Sequence, residues 1–163
     1  MPKRTARPVM GMNVGGISDF VTLAGKLRDA GNGGLSDELK RELRRAGEEI
    51  VQALKREVMS FEDRSDARRQ DGKSFRTELA QAITYQVSSK GLRVYVDRAK
   101  LPADSKLLPW AFEKASFRHP VFGGATWVTQ RGHPWFAPTI SKYTPRVQEN
   151  VTAAVEKFLR SLT

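Results

Sequence analysis

Both histidines of the chain, His119 and His133, fall in one stretch, FRHPVFGGATWVTQRGHPWFAP, which runs from Phe117 to Pro138. Each stands directly before a proline and among aromatic residues, and Trp127 and Trp135 lie in the same stretch. Imidazole changes charge near neutral pH, so acid–base chemistry is the first thing such a segment suggests. A histidine base needs a group to orient it and a nucleophile or a metal to act on. Ser116, Thr126 and Thr129 are the hydroxyls at hand, but the chain contains no GxSxG elbow and no HExxH pair. Two histidines fourteen residues apart, each followed by proline, do not make a helical metal face. The glycine-rich pieces GMNVGG and GNGG lack the lysine and helix of a phosphate loop. No catalytic residue, metal site or cofactor is expected.

A second kind of chemistry is polyanion binding. Arg64, Arg68, Arg69, Lys73 and Arg76 gather in mid-chain, and Lys3, Arg4 and Arg7 make a basic tail. The formal net charge is +10, an excess that suits nucleic acid, an acidic surface or an acidic partner, and equally a plain solvated surface. The aromatic stretch could itself be a stacking platform, through Phe117, Arg118, Phe122, Trp127, Arg131, Trp135 and Phe136. No helix-turn-helix, zinc-finger or RNP signature supports sequence-specific readout. Asp63, Asp66 and Asp71 sit among the mid-chain arginines without the glycine and final glutamate of a calcium loop.

The third reading is architectural. Gly123, Gly124 and Gly132 permit tight turns, and each His-Pro step holds extended backbone. Trp127, Val128 and Thr129 then read as a short strand, and residues 134–138 as an extended, aromatic-rich connection into the last helix. A segment half packed and half presented suits a protein–protein contact.

The elements around it follow from period and punctuation. Residues 1–16 read as a flexible basic arm with a short strand near Met12–Ile17, and residues 17–163 as one α+β domain. A first helix starts at Ser18 or Asp19, turns Phe20, Leu23, Ala24 and Leu27 to one side, and stops at Gly31. Ser36 is expected to cap a long second helix whose stripe runs Leu39, Leu43, Ala46, Ile50, Ala53, Leu54, Val58, Phe61. Arg44–Glu48 and Arg45–Glu49 are one-turn charge pairs on its wet side. Residues 62–73 have no apolar period and read as an exposed loop. Ser74 caps a short helix, and Ile83–Arg98 alternates as a hairpin that turns at SSKG. A short helix is expected around Trp110–Ser116. Thr144 and Pro145 look like the cap and first position of a C-terminal amphipathic helix carrying Val147, Val151, Ala154, Val155, Phe158, Leu159 and Leu162. The fold class is therefore α+β: long N-terminal helices, a small antiparallel sheet and a C-terminal helix.

At 163 residues the chain can bury one real core. It has no apolar run near the ~18 residues of a membrane span, and its N-terminus lacks the apolar region of a signal peptide. With no cysteine it has no disulfide, thiolate metal site or thiol nucleophile, which fits synthesis in a reducing cytoplasm.

The segments RHPVFGG, ATWVTQ and RGHPWFAPTI resemble the signature of the small neck or tail-completion proteins of long-tailed bacteriophages, through Arg118–Gly123, Trp127–Gln130 and Pro134–Phe136. The order of elements from Ile17 onward is also similar, while residues 62–73 are more charged than that family's pattern. The resemblance implies a non-enzymatic virion protein, made in the host cytoplasm, that forms a six-fold or twelve-fold ring joining the head-closure protein to the tail terminator or tail tube. It implies that Arg118, His119, Pro120, Phe122, Trp127, Trp135 and Phe136 serve packing and subunit contacts. Arg64, Arg68, Arg69 and Lys73 would then approach passing DNA without reading its sequence. A tail terminator capping the tube is the alternative within virion assembly. A basic nucleic-acid-binding protein unrelated to virions is the alternative from another class.

Overall fold

The computed structural model describes residues 10–29, 33–61, 74–88, 90–120 and 125–161. The fold is α+β, in the order β1 (Met10–Asn13), α1 (Ser18–Asp29), α2 (Gly34–Met59), α3 (Phe75–Ala82), β2 (Ile83–Ser88), β3 (Gly91–Val96), α4 (Leu108–Phe112), β4 (Ser116–Pro120), β5 (Trp127–Arg131), α5 (Phe136–Arg160). Two 3₁₀ turns, Arg98–Lys100 and Ala103–Ser105, link β3 to α4. Among the described residues no helix is long and apolar enough to cross a membrane.

The apolar stripe of α2 is the axis of the core. Leu35, Leu39, Leu43, Ile50, Leu54 and Val58 are buried along its 26 residues, about 39 Å at ~1.5 Å per residue. The helix begins at Gly34, two residues before the cap expected at Ser36. Leu35 is fully buried, and burying it draws the first turn back to include it, so Ser36 becomes a buried first-turn residue. In α1, Ala24 is buried as expected, while Leu23 points outward at 44% exposure.

On one side of α2 lies a three-stranded antiparallel sheet in the order β1-β3-β2. Ile83, Tyr85 and Val87 pair with Val96, Val94 and Leu92, so one face of the hairpin carries all six. Gly91 turns it at φ +103°, backbone that a side chain would strain. Tyr85 hydroxyl donates to Glu48 (3.3 Å); burial, then this carboxylate, pushes the phenol pKa above its ordinary value. The α3 cap is as read from sequence: the Ser74 side chain accepts from Thr77 N–H. The arm is shorter than residues 1–16, because Met10–Asn13 pairs with β3 and Val14 is buried. Residues 1–9 lie outside the described residues.

The helix α5 packs antiparallel on α2, as the ion pairs Arg146–Glu49 (3.4 Å) and Lys157–Glu38 (3.7 Å) show. It starts at Phe136 rather than Thr144 and continues through Pro145. An interior proline removes one backbone bond and costs about 3 kcal/mol. Here Phe136, Ile140, Val147 and Val151 fall on one stripe only if both halves share an axis, and all four are buried. Packing of the longer stripe outweighs the local rule. Leu159, placed on this stripe from the sequence, is 52% exposed.

Candidate functional site

The aromatic segment divides into a root and a ribbon. The root begins at α4, which spans only Leu108–Phe112, with Pro109 in its first turn. The chain then leaves the helix earlier than the expected Ser116, because the return strand captures it. Gly132 N–H donates to Ala115 carbonyl (2.9 Å) and His133 N–H to Phe112 carbonyl (2.8 Å). A Cβ at Gly132 would overlap the Lys114 carbonyl, so this close passage requires glycine.

Glu113 completes the root. Its Oε2 accepts from Trp135 N–H (3.0 Å) and Phe136 N–H (2.9 Å), and its Oε1 from Ala137 N–H (2.9 Å). These are backbone donors at the start of α5, which would otherwise have no partner inside the helix. A carboxylate there also meets the positive end of the helix dipole. The cap comes from 22 residues upstream, beyond any local sequence rule.

Aromatic packing closes the root. Trp135 is 1% exposed and Phe136 3%, and their rings meet edge to face at 5.3 Å. Phe61 touches Phe112, His133 and Trp135 at centroid distances of 6.1, 5.1 and 6.2 Å. His133 Nε2 donates to Glu57 Oε1 at 3.2 Å, which ties the root to the end of α2. Trp135 and Phe136 are thus core residues of the chain rather than contact surface.

The ribbon is the two-stranded antiparallel sheet β4–β5. Directly paired residues share a face, so Phe117 and His119 stand with Gln130 and Val128 on one side. Ser116, Arg118 and Pro120 stand with Arg131, Thr129 and Trp127 on the other. Only the β4 half of the first face is covered: Phe117 meets Phe112 edge to face at 5.2 Å and His119 leans on Phe117 at 5.8 Å, while Val128 and Gln130 are exposed. His119 Nδ1 donates to the Pro120 carbonyl (3.2 Å). The outer face is open, with Trp127 55% exposed and Arg118, Arg131, Thr129 and Ser116 all exposed.

Strand alternation separates the groups an acid–base site would need. Ser116 and Thr129 are on the outer face while His119 is on the inner one, and His133 is committed to Glu57 and Phe61. Among the described residues no group of three or more His, Cys, Asp or Glu could hold a metal. A groove of about 340 Å³ between α1, α2 and β2, floored by Leu39 and Leu43, shares no residue with the segment. Phe122 and the basic group Arg64, Arg68, Arg69 and Lys73 lie outside the described residues, as do Asp63, Asp66 and Asp71.

Sequence reasoning missed Glu113 and Gly132 as the determinants of the root. It also left β4 as extended backbone without a partner. Val128 and Thr129 alternating beside RHP was the available signal for the pairing. Comparison of the chain with protein-family models, curated proteins and solved structures gives no match.

Proposed function

We propose that this chain is a non-enzymatic structural subunit of the neck of a long-tailed phage, one copy in a ring between the head-closure protein and the tail. The observation that carries the reading is the ribbon. It is rooted by Glu113 and Trp135 and rests on the body through Phe117, and its two outer edges are unpaired among the described residues. Open strand edges are the usual template for joining another chain by backbone hydrogen bonds. A ring built this way uses the edges for neighbouring copies and the aromatic root for rigidity. The resemblance of RHPVFGG, ATWVTQ and PWF to the neck and tail-completion proteins supports the same assignment.

The test is electron microscopy of particles from a phage carrying this gene, with the gene deleted. Filled heads beside free tails of normal length are expected. Tails of runaway length would reassign the protein as the tail terminator. Normal, infectious particles would overturn the structural role altogether.

A further inference from the structure

The outer face of the ribbon has a composition that neither packing nor edge pairing uses. It presents two guanidinium groups, Arg118 and Arg131, an indole, Trp127, and two hydroxyls, Ser116 and Thr129. No aspartate or glutamate occurs in the chain between Glu113 and Glu149, and Glu113 is turned onto the α5 start. Neither guanidinium has a carboxylate partner among the described residues. The Arg118 guanidinium lies over the Trp127 ring at 5.9 Å, which holds it at the surface rather than letting it fold back.

We propose that this face contacts the sugar–phosphate backbone of duplex DNA without reading sequence. Arg118 and Arg131 occupy diagonal positions of the ribbon, about 7–8 Å apart at the backbone, so both can reach phosphates of one strand. A two-stranded ribbon is narrow enough to lie along a groove of the duplex. Ser116 and Thr129 add neutral donors to phosphate oxygens, and the indole lies against sugar. Charge complementarity selects the partner: a face with two cations and no acid fits a polyanion. The contact belongs to the single subunit and stands apart from the neck role, so the two can fail separately.

The experiment is titration of a labelled mixed-sequence duplex with the full chain over a range of salt. Arg118→Gln/Arg131→Gln should weaken binding about tenfold or more and make the slope of log K on log salt shallower by about 2, one per lost phosphate contact. Arg41→Gln/Arg160→Gln removes the same charge from exposed positions on α2 and α5 and should leave the slope unchanged. Trp127→Ala should weaken binding several-fold with no change in slope, because an indole releases no counterion. An unaltered slope in the ribbon variant overturns the proposal. So does an equal loss in the helix variant, which would mean net charge alone. Intact DNA binding with lost self-association in sedimentation would overturn it too, giving the face to a second copy. Circular dichroism of each variant confirms that the fold is kept.

Discussion

Trp127 and Trp135 belong to the same aromatic segment, yet they meet opposite fates. Trp135 is 1% exposed, packed on Phe61 and Phe136, with its backbone N–H on a carboxylate. Trp127 is 55% exposed, on the outer face of a ribbon, with the Arg118 guanidinium over its ring. The difference teaches that aromatic content does not mark a surface as functional or structural. What decides is whether the backbone beside the ring is held by the core, and here Glu113 and Gly132 draw that boundary.

The contrast can be broken by substitution, and the largest effect should come from the buried ring. Trp135→Ala should destabilise by about 3–5 kcal/mol, the usual range for emptying a buried aromatic site, read as a drop in the denaturant midpoint. Trp135→Phe should lose clearly less, since it keeps a ring and removes an indole N–H that has no partner among the described residues. If the alanine variant unfolds at the wild-type midpoint, the root does not anchor the segment.

Gly132→Ala comes next. The new methyl meets the Lys114 backbone rather than a movable side chain, so about 3 kcal/mol is expected. Hydrogen exchange should show the loss concentrated at Gly132 and His133, whose N–H groups bond Ala115 and Phe112. A uniform change over the whole chain would contradict that localisation.

Glu113→Gln keeps the side-chain volume but removes the charge and one accepting oxygen. About 2 kcal/mol should be lost, in line with hydrogen bonds to charged groups. Exchange at Trp135, Phe136 and Ala137 amides should rise while the β2–β3 hairpin stays protected. Glu113→Asp, one methylene shorter, should recover only part of the difference.

The smallest effect belongs to the ribbon. Trp127→Ala should change stability by no more than about 0.5 kcal/mol, as expected for an exposed site. A loss as large as that of Trp135→Ala would erase the distinction between the two rings.

Much of the body was legible because its signals are local. The α2 stripe, the Ser74 cap and the pairing of Ile83, Tyr85 and Val87 with their partners each depend on residues within one element or one turn. The candidate segment was legible in part: the strand expected at Trp127–Thr129 lies within β5, but the sequence did not separate the packed Trp135 from the exposed Trp127. The start of α5 differs from the sequence expectation because Thr144 and Pro145 imitate a helix start. Thr144 instead bonds back to the Ile140 carbonyl at 3.1 Å, inside a helix that burial holds together.

From sequence alone came the α+β class, the long second helix, the central hairpin and the excess of positive charge, since period, caps and composition act over a few residues. Only the tertiary structure decided which tryptophan is core, where the last helix begins and which face of the ribbon is bare. Those outcomes rest on a carboxylate meeting amides 22 residues away and on a glycine passing a distant carbonyl. Such contacts leave no periodic trace in the chain, because their partners meet only after the core has closed.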